Sequence, residues 1–239
     1  MPHHQLQPAF LLHRRPYSNS SLLIECFAAG AGRFPAIARG VATRRGQGLA
    51  LLQPFNPLLI GWSGRGEVKS LNRYEAAASP LHLTGEALYC GFYLNELLMR
   101  LLQRGDPQRR LFALYGQALE GLAGGADLEP LLRRFELSLL EEIGFGLILD
   151  REGETDEPLQ PDRRYHYHLE RGPLSAPGDG PVVSGATLLA LAAGDALGPD
   201  ALQEARGLLR HVLACYLGDR PLHSRELFRA AARNQAAPD

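Results

Sequence analysis

The hydrophobic period of this chain changes near Ser79-Pro80, and that change limits the folds open to it more than any other feature. Ahead of it lie short apolar runs punctuated by turn residues. Ala9 to Arg14 reads as a first strand, ended by Pro16 and the polar Ser18-Asn19-Ser20-Ser21 cluster, and Leu22 to Phe27 as a second, closed by Gly30-Ala31-Gly32. The spacing suggests a hairpin into Arg33 to Arg39, followed by a flexible Gly40 to Gly48 stretch. Leu51 to Trp62 is expected to be a fourth strand, irregular because Pro54 and Pro57 lack the ladder donor. Beyond the Gly64-Arg65-Gly66 turn, Glu67 to Tyr74 is a fifth. Short strands with Gly and Pro at the corners predict a small closed barrel such as an OB-fold; an open five-stranded sheet is the alternative.

From about residue 80 the pattern turns helical. Thr84 is placed to cap a helix running to about Arg104, with Gly105 as its stop, and Asp106-Pro107 reads as the start of the next. Leu111, Leu114, Tyr115, Ala118 and Leu122 give that helix its apolar stripe. Asp127 opens a third helix that buries Phe135 and Leu139. Residues 150–182, rich in Gly, Pro and acids, hold an alternating run from Tyr165 to Leu169 that can pair with Pro173-Leu174-Ser175 as a hairpin. Helices are expected at Ser184 to Ala193 and Pro199 to Leu217, and a short one from Ser224. The reading is therefore α+β: a five-stranded barrel over 1–79, then an α-helical domain over 80–239 with an insertion at about 150–182.

Charge follows the same division. Residues 1–79 carry nine basic side chains against three acidic ones, an excess of six, so in a chain of net charge −1 the remainder carries −7. Of the 25 basic residues all but Lys69 are arginine, whose planar donors suit phosphate oxygens. A basic β module points first to a polyanion. No apolar stretch is long enough for a membrane helix, no secretory leader is visible, and three widely spaced cysteines fit reduced thiols in the cytoplasm.

Enzyme signatures fail residue by residue. Lys69 follows Val68 rather than the Gly of a phosphate loop, and Gly30-Ala31-Gly32 runs into Pro35 where a dinucleotide motif needs its third Gly. Gly61-Trp62-Ser63-Gly64 stops short of a nucleophile elbow at Arg65, so Ser63 reads as a turn residue and no catalytic residue is assigned. His166 and His168 share a strand face but lack further ligands nearby, which favours exposed surface over a metal site; no cofactor is expected. The basic residues are more suggestive. On an unbroken strand Arg33 and Arg39 share a face, as do Lys69 and Arg73, while Arg14-Arg15 and Arg44-Arg45 sit in adjoining loops and Arg65 in a turn. These nine are the candidate residues of a phosphate groove for a nucleic acid. Tyr17, Phe34, Phe55, Trp62 and Tyr74 are the aromatics available for stacking on bases, though each reads more readily as core.

Several blocks resemble a known family. Leu12-His13-Arg14-Arg15-Pro16-Tyr17-Ser18, Leu52-Gln53-Pro54-Phe55-Asn56-Pro57-Leu58, Gly64-Arg65-Gly66-Glu67-Val68-Lys69, Tyr93-Leu94-Asn95-Glu96-Leu97, Leu132-Arg133-Arg134-Phe135-Glu136 and Ser224-Arg225-Glu226-Leu227-Phe228 resemble, in order, segments of the bacterial DNA repair protein RecO, most like its gammaproteobacterial form. The resemblance implies an N-terminal OB-fold, a helical domain, and a non-enzymatic recombination mediator of the RecF pathway acting in the cytoplasm at the nucleoid. Such a mediator binds and anneals single- and double-stranded DNA, works with RecR, overcomes single-strand DNA-binding protein (SSB) and helps load RecA. The acidic SSB tail docks on the helical domain of similar proteins, which makes Arg133 or Arg134 the implied anion contact. Many relatives carry a four-cysteine zinc site where Leu149-Asp150-Arg151-Glu152 stands here, so no structural zinc is expected. Two other classes compete: an RNA-processing enzyme with an appended OB module, and a purely protein-binding adaptor.

Overall fold

A computed structural model describes residues 6–41, 47–218, 220–224 and 226–227. Five strands, β1 (Gln7–Ser18), β2 (Ser21–Ala28), β3 (Gly32–Ala38), β4 (Leu58–Ser63) and β5 (Lys69–Ala76), close into a barrel in the order β1-β2-β3-β5-β4. All pairings are antiparallel except β3 with β5. The expected five-stranded barrel followed by helices is what the chain forms. Its interior holds Leu11, Ile24, Cys26, Phe34, Leu58, Ile60 and Trp62 among others. Burial in so dry a place pushes the Cys26 thiol far above its ordinary range, so it stays protonated and packs as a small apolar group.

β1 runs past Arg14 to Ser18, further than its turn residues suggested. Pro16 is tolerated because β4 pairs only with Gln7 to Ala9, leaving the later part of β1 with one neighbour. The fourth strand is shorter than expected. Gln47–Leu51 instead forms a helical turn, α1, and the chain from Leu52 to Pro57 is irregular, with Leu52 in the barrel core. Asn56, buried, explains the change: its Nδ2 donates to the carbonyls of Leu51 at 3.0 Å and Ala50 at 3.3 Å, which no strand partner satisfies. Phe55 adopts φ 72°, an uncommon conformation for a bulky residue, and lays its ring 5.2 Å from Phe92.

Two helices, α2 (Gly85–Leu101) and α3 (Arg109–Ala123), belong to the same compact unit as the barrel, which spans 1–126 and takes in the C-terminal residues from Pro221. Phe10 and Phe27 on the barrel wall meet Phe112 and Tyr115 of α3 at 5.1–6.3 Å between ring centres. Leu12 is an extra residue in β1, between the Leu11 and His13 pairings. Its carbonyl accepts from Nδ2 of buried Asn95 at 2.8 Å, and Asn95 Oδ1 in turn accepts from the Tyr115 hydroxyl. That chain of bonds gives the Tyr-Leu-Asn-Glu block its structural role. Its Glu96 accepts from the backbone of His223 and Ser224 and from the Ser224 hydroxyl, fastening the C-terminal segment to α2.

α2 stops at Leu101 rather than Arg104, and α3 begins at Arg109 rather than at Asp106-Pro107. The reason lies in β3. Residues 104–106 run beside its first half: Arg104 bridges Arg33, and the Gly105 amide donates to the Arg33 carbonyl at 2.8 Å. Gly32, at φ 68°, admits this approach, since a Cβ there would come within 2.0 Å of the Asp106 carbonyl oxygen.

The second unit, 127–220, contains α4 (Leu128–Glu142), strands β6 (Arg164–His168), β7 (Gly172–Leu174) and β8 (Val182–Ser184), and helices α5 (Gly185–Ala193) and α6 (Pro199–Leu217). The β6–β7 hairpin forms as expected; β8, three residues long, joins the other edge of β6 and has too little sequence to betray itself. Ser184 at the start of α5 and Thr187 both donate hydroxyl hydrogens to Glu204 of α6 at 2.7 Å. In the 150–157 loop Glu152 accepts from the amides of Ser175, Thr155 and Glu154, and those bonds hold its carboxyl down to about 2.

Candidate nucleic-acid interface

Alternation along the barrel strands sorts the basic residues. Leu22, Ile24, Cys26 and Ala28 of β2 and Phe34, Ala36 and Ala38 of β3 point inward, so Leu23, Glu25, Phe27, Arg33 and Ile37 point outward. The outward wall then divides in two. One half, with Phe10, Phe27, Glu25 and Arg33, is covered by α2, α3 and the segment between them. Among the described residues nothing covers the other half. There Arg15 lies opposite Leu23, Leu23 opposite Ile37, Ile37 opposite Ser70, and Ser70 opposite Ser63, a continuous row across all five strands. Arg39, exposed just beyond β3, donates to Ser70 Oγ at 3.1 Å.

The candidate arginines fall on different sides of this division. Arg33 is withdrawn from any groove: its side chain is 12% exposed, pairs with Glu25 and donates to the Leu102 carbonyl at 2.8 Å. Arg104 joins the same carboxylate at 3.2 Å and also pairs with Glu67, tying the loop between β4 and β5 to the end of α2. Those two carboxylates raise the hold of Arg104 on its proton. Arg14 pairs across with inward-facing Ile24 and spends its guanidinium on the carbonyls of Leu49 and Leu52, at 3.2 and 3.1 Å. Arg15, its neighbour, points the other way and is exposed.

On β5 the even spacing of Lys69 and Arg73 misleads. Trp62 pairs with Leu71 and Gly61 with Arg73, so Asn72 is an inserted residue that reverses the phase. Lys69 follows the parity of inward Leu71 and donates to the Gly66 carbonyl at 2.8 Å, while Arg73 points out beside Glu75 at 3.9 Å. Arg65 is exposed in the loop between β4 and β5. Arg44 and Arg45 lie outside the described residues. The structure thus brings Arg15 and Arg39 to one open surface, leaves Arg65 and Arg73 exposed on the barrel, and takes Arg14 and Arg33 into its framework.

Of the five aromatics, Phe34, Phe55 and Trp62 are buried and Tyr74 packs partly against the barrel core. Tyr17 differs, at 60% exposed. Ser63, expected in a turn, is instead the last residue of β4, paired with Ser70, and its Oγ accepts from Asn72 Nδ2 at 2.9 Å. In the second unit Arg133 and Arg134 separate. Arg134 is exposed; Arg133 is buried on α4, with Nη2 2.8 Å from Glu136 and an Nε that has no partner among the described residues. His166 and His168 lie on the strand face opposite buried Tyr165 and Tyr167. Among the described residues no three His, Cys, Asp or Glu side chains are grouped to hold a metal, and no helix is long and apolar enough to cross a membrane.

Comparison with known proteins agrees with this geometry over nearly the whole chain. The family model described as "Recombination protein O N terminal" matches residues 1–80, and "Recombination protein O C terminal" matches residues 82–226. Proteins named DNA repair protein RecO from Methylococcus capsulatus and Alkalilimnicola ehrlichii are each 49% identical, covering 95% and 97% of this chain and 94% of their own length. One from Nitrosospira multiformis is 45% identical over 94% of this chain and 95% of its own. A five-stranded barrel followed by helices, matched from end to end at such identities, places the chain in the RecO family of DNA repair proteins.

Proposed function

We propose that this protein is a recombination mediator in DNA repair that grips DNA on the open half of its barrel wall and carries out no chemical reaction itself. The observation that carries this reading is the division of that wall. Helices cover one half, while the other leaves Arg15 and Arg39 in solvent across a row of half-buried Leu23, Ile37 and Ser70. Guanidinium groups on such a surface neutralise phosphates on two strands, lowering their repulsion so that complementary bases meet. Single strands and duplex both bind, because phosphate is common to them. The barrel module of residues 1–79 supplies this grip, acting in the cytoplasm at the nucleoid.

Residues 80–239 bring the partners: the acidic tail of SSB, RecR, and through them RecA loading in the RecF pathway. For the SSB tail the support is a division of labour on α4. Exposed Arg134 supplies charge, and Arg133 holds a buried Nε–H that has no partner among the described residues, a donor that costs about 1–3 kcal/mol while it stays unpaired. A carboxylate reaching that donor would relieve the cost. Arg133→Ala and Arg134→Ala, tested against a labelled SSB tail peptide, separate the two contributions.

The deciding experiment is strand annealing of SSB-coated complementary oligonucleotides followed by fluorescence, with and without the full-length protein. Acceleration is expected. Replacing Arg15, Arg39 and Arg65 together should lower the salt slope of single-strand binding by about 2, at about 0.7 per phosphate contact. An unchanged slope removes these residues from the site. ATP turnover by the pure protein would favour an RNA-processing enzyme, and capture of the SSB tail without DNA affinity a protein-binding adaptor.

A further inference from the structure

We propose that Tyr17 stacks on a base and makes the open half of the barrel wall favour single-stranded over duplex DNA, an inference that rests on the DNA-binding reading above. The ring is 60% exposed, which the packing of the barrel does not explain, whereas Phe34, Phe55 and Trp62 are all enclosed. Its position is also particular. Pro16 pairs with Leu22 and Ser18 with Ser21, so Tyr17 is the extra residue of a bulge at the end of the β1–β2 hairpin. A bulge takes a side chain out of the ladder's alternation and re-aims it.

Register then brings the ring to the cationic surface. Pro16 pairs with Leu22 and Leu22 with Ala38, so Tyr17 and Arg39 each stand one residue beyond the same row. Two interstrand spacings separate their strands, about 10 Å, within the reach of a few nucleotides. Arg15 lies two residues back on β1, and half-buried Leu23 and Ile37 floor the space between. The combination of a backbone-tracking charge with an aromatic face is what holds single strands without sequence preference. Bases in a duplex are stacked on one another and cannot meet the ring, so duplex keeps only the phosphate contacts.

The test uses the full-length protein with fluorescence anisotropy on three ligands: a labelled oligothymidylate, its abasic counterpart and a duplex of equal length. Tyr17→Ala should weaken oligothymidylate binding about 5- to 150-fold, the range for loss of one stacked base, and leave the abasic strand and the duplex as tight as before. The salt slope should not move, because no phosphate contact is lost. Tyr17→Phe should bind like the parent protein. Equal weakening on strand and duplex, or none on the strand, overturns the proposal while leaving the arginine surface intact. Parent protein that binds no oligonucleotide at all overturns the DNA-binding reading and this one with it.

Discussion

Arg33, near the start of β3, and Arg39, just past its end, sit six residues apart with the same parity, yet they have opposite fates. Arg33 is enclosed by the end of α2, with Glu25 and the Leu102 carbonyl taking its donors; Arg39 stands in solvent and donates to Ser70 Oγ. Alternation decides which side of a sheet a residue faces, but not what else comes to that side. A guanidinium that meets a buried carboxylate becomes framework, and one that meets water stays available to a ligand.

That contrast can be broken most forcefully at Arg33. Arg33→Ala should cost about 2–4 kcal/mol in urea unfolding, somewhat under the ~3–5 kcal/mol of a lone buried pair because Arg104 stays on Glu25. A loss below 0.5 kcal/mol, typical of a surface site, would mean that the covered half is not held as described. Asn95→Ala probes the same half from the helix side. It removes the bond that the Tyr115 hydroxyl donates to Oδ1 and the one that the Leu12 carbonyl accepts from Nδ2, and should cost about 1–3 kcal/mol by the same measurement.

Away from the barrel, Glu152 offers a pH readout. Its carboxyl is held down to about 2 from an ordinary 4.5, so its stabilising contribution is complete above 4.5 and disappears as pH falls toward 2. Glu152→Gln should remove that share of the acid limb in thermal melts run across this window and leave the DNA salt slope unchanged. The smallest effect on stability belongs to Arg39→Ala, within about 0.5 kcal/mol of the parent. The same change should reduce the single-strand salt slope by about 0.7. Arg33→Ala, at temperatures where it is folded, should leave that slope alone, and a fall would put Arg33 back among the phosphate contacts.

Much of the barrel was legible because its turns are written in Gly, Pro and Ser, and β2 and β3 lie where those residues bracket them. The α1 turn was not, since five helical residues between Gly and Pro carry too little periodicity to distinguish them from a strand. The site was legible in composition and only partly in geometry. The bulge at Asn72, which reverses the phase of Lys69 and Arg73, leaves no mark in a count of spacings. The cover on Arg33 comes from residues 102–106, a contact no local pattern contains. Residue type alone points Tyr17 to the core. Its neighbours, Pro16 before it and the Ser18 to Ser21 cluster after it, were the signal that it belongs at an exposed turn.

The strip formed by Arg104 to Asp106 has a bearing on where this protein can be cut. β5 pairs with β3 only from Ala36 to Ala38, and the strip occupies the stretch beside Arg33. A fragment ending near residue 80 would therefore bare a raw backbone edge together with the rings of Phe10 and Phe27, two invitations to self-association. A fragment extended to Ala126 keeps both covered. Solubility should switch between those two lengths, and with it the smallest piece that can be purified as a monomer.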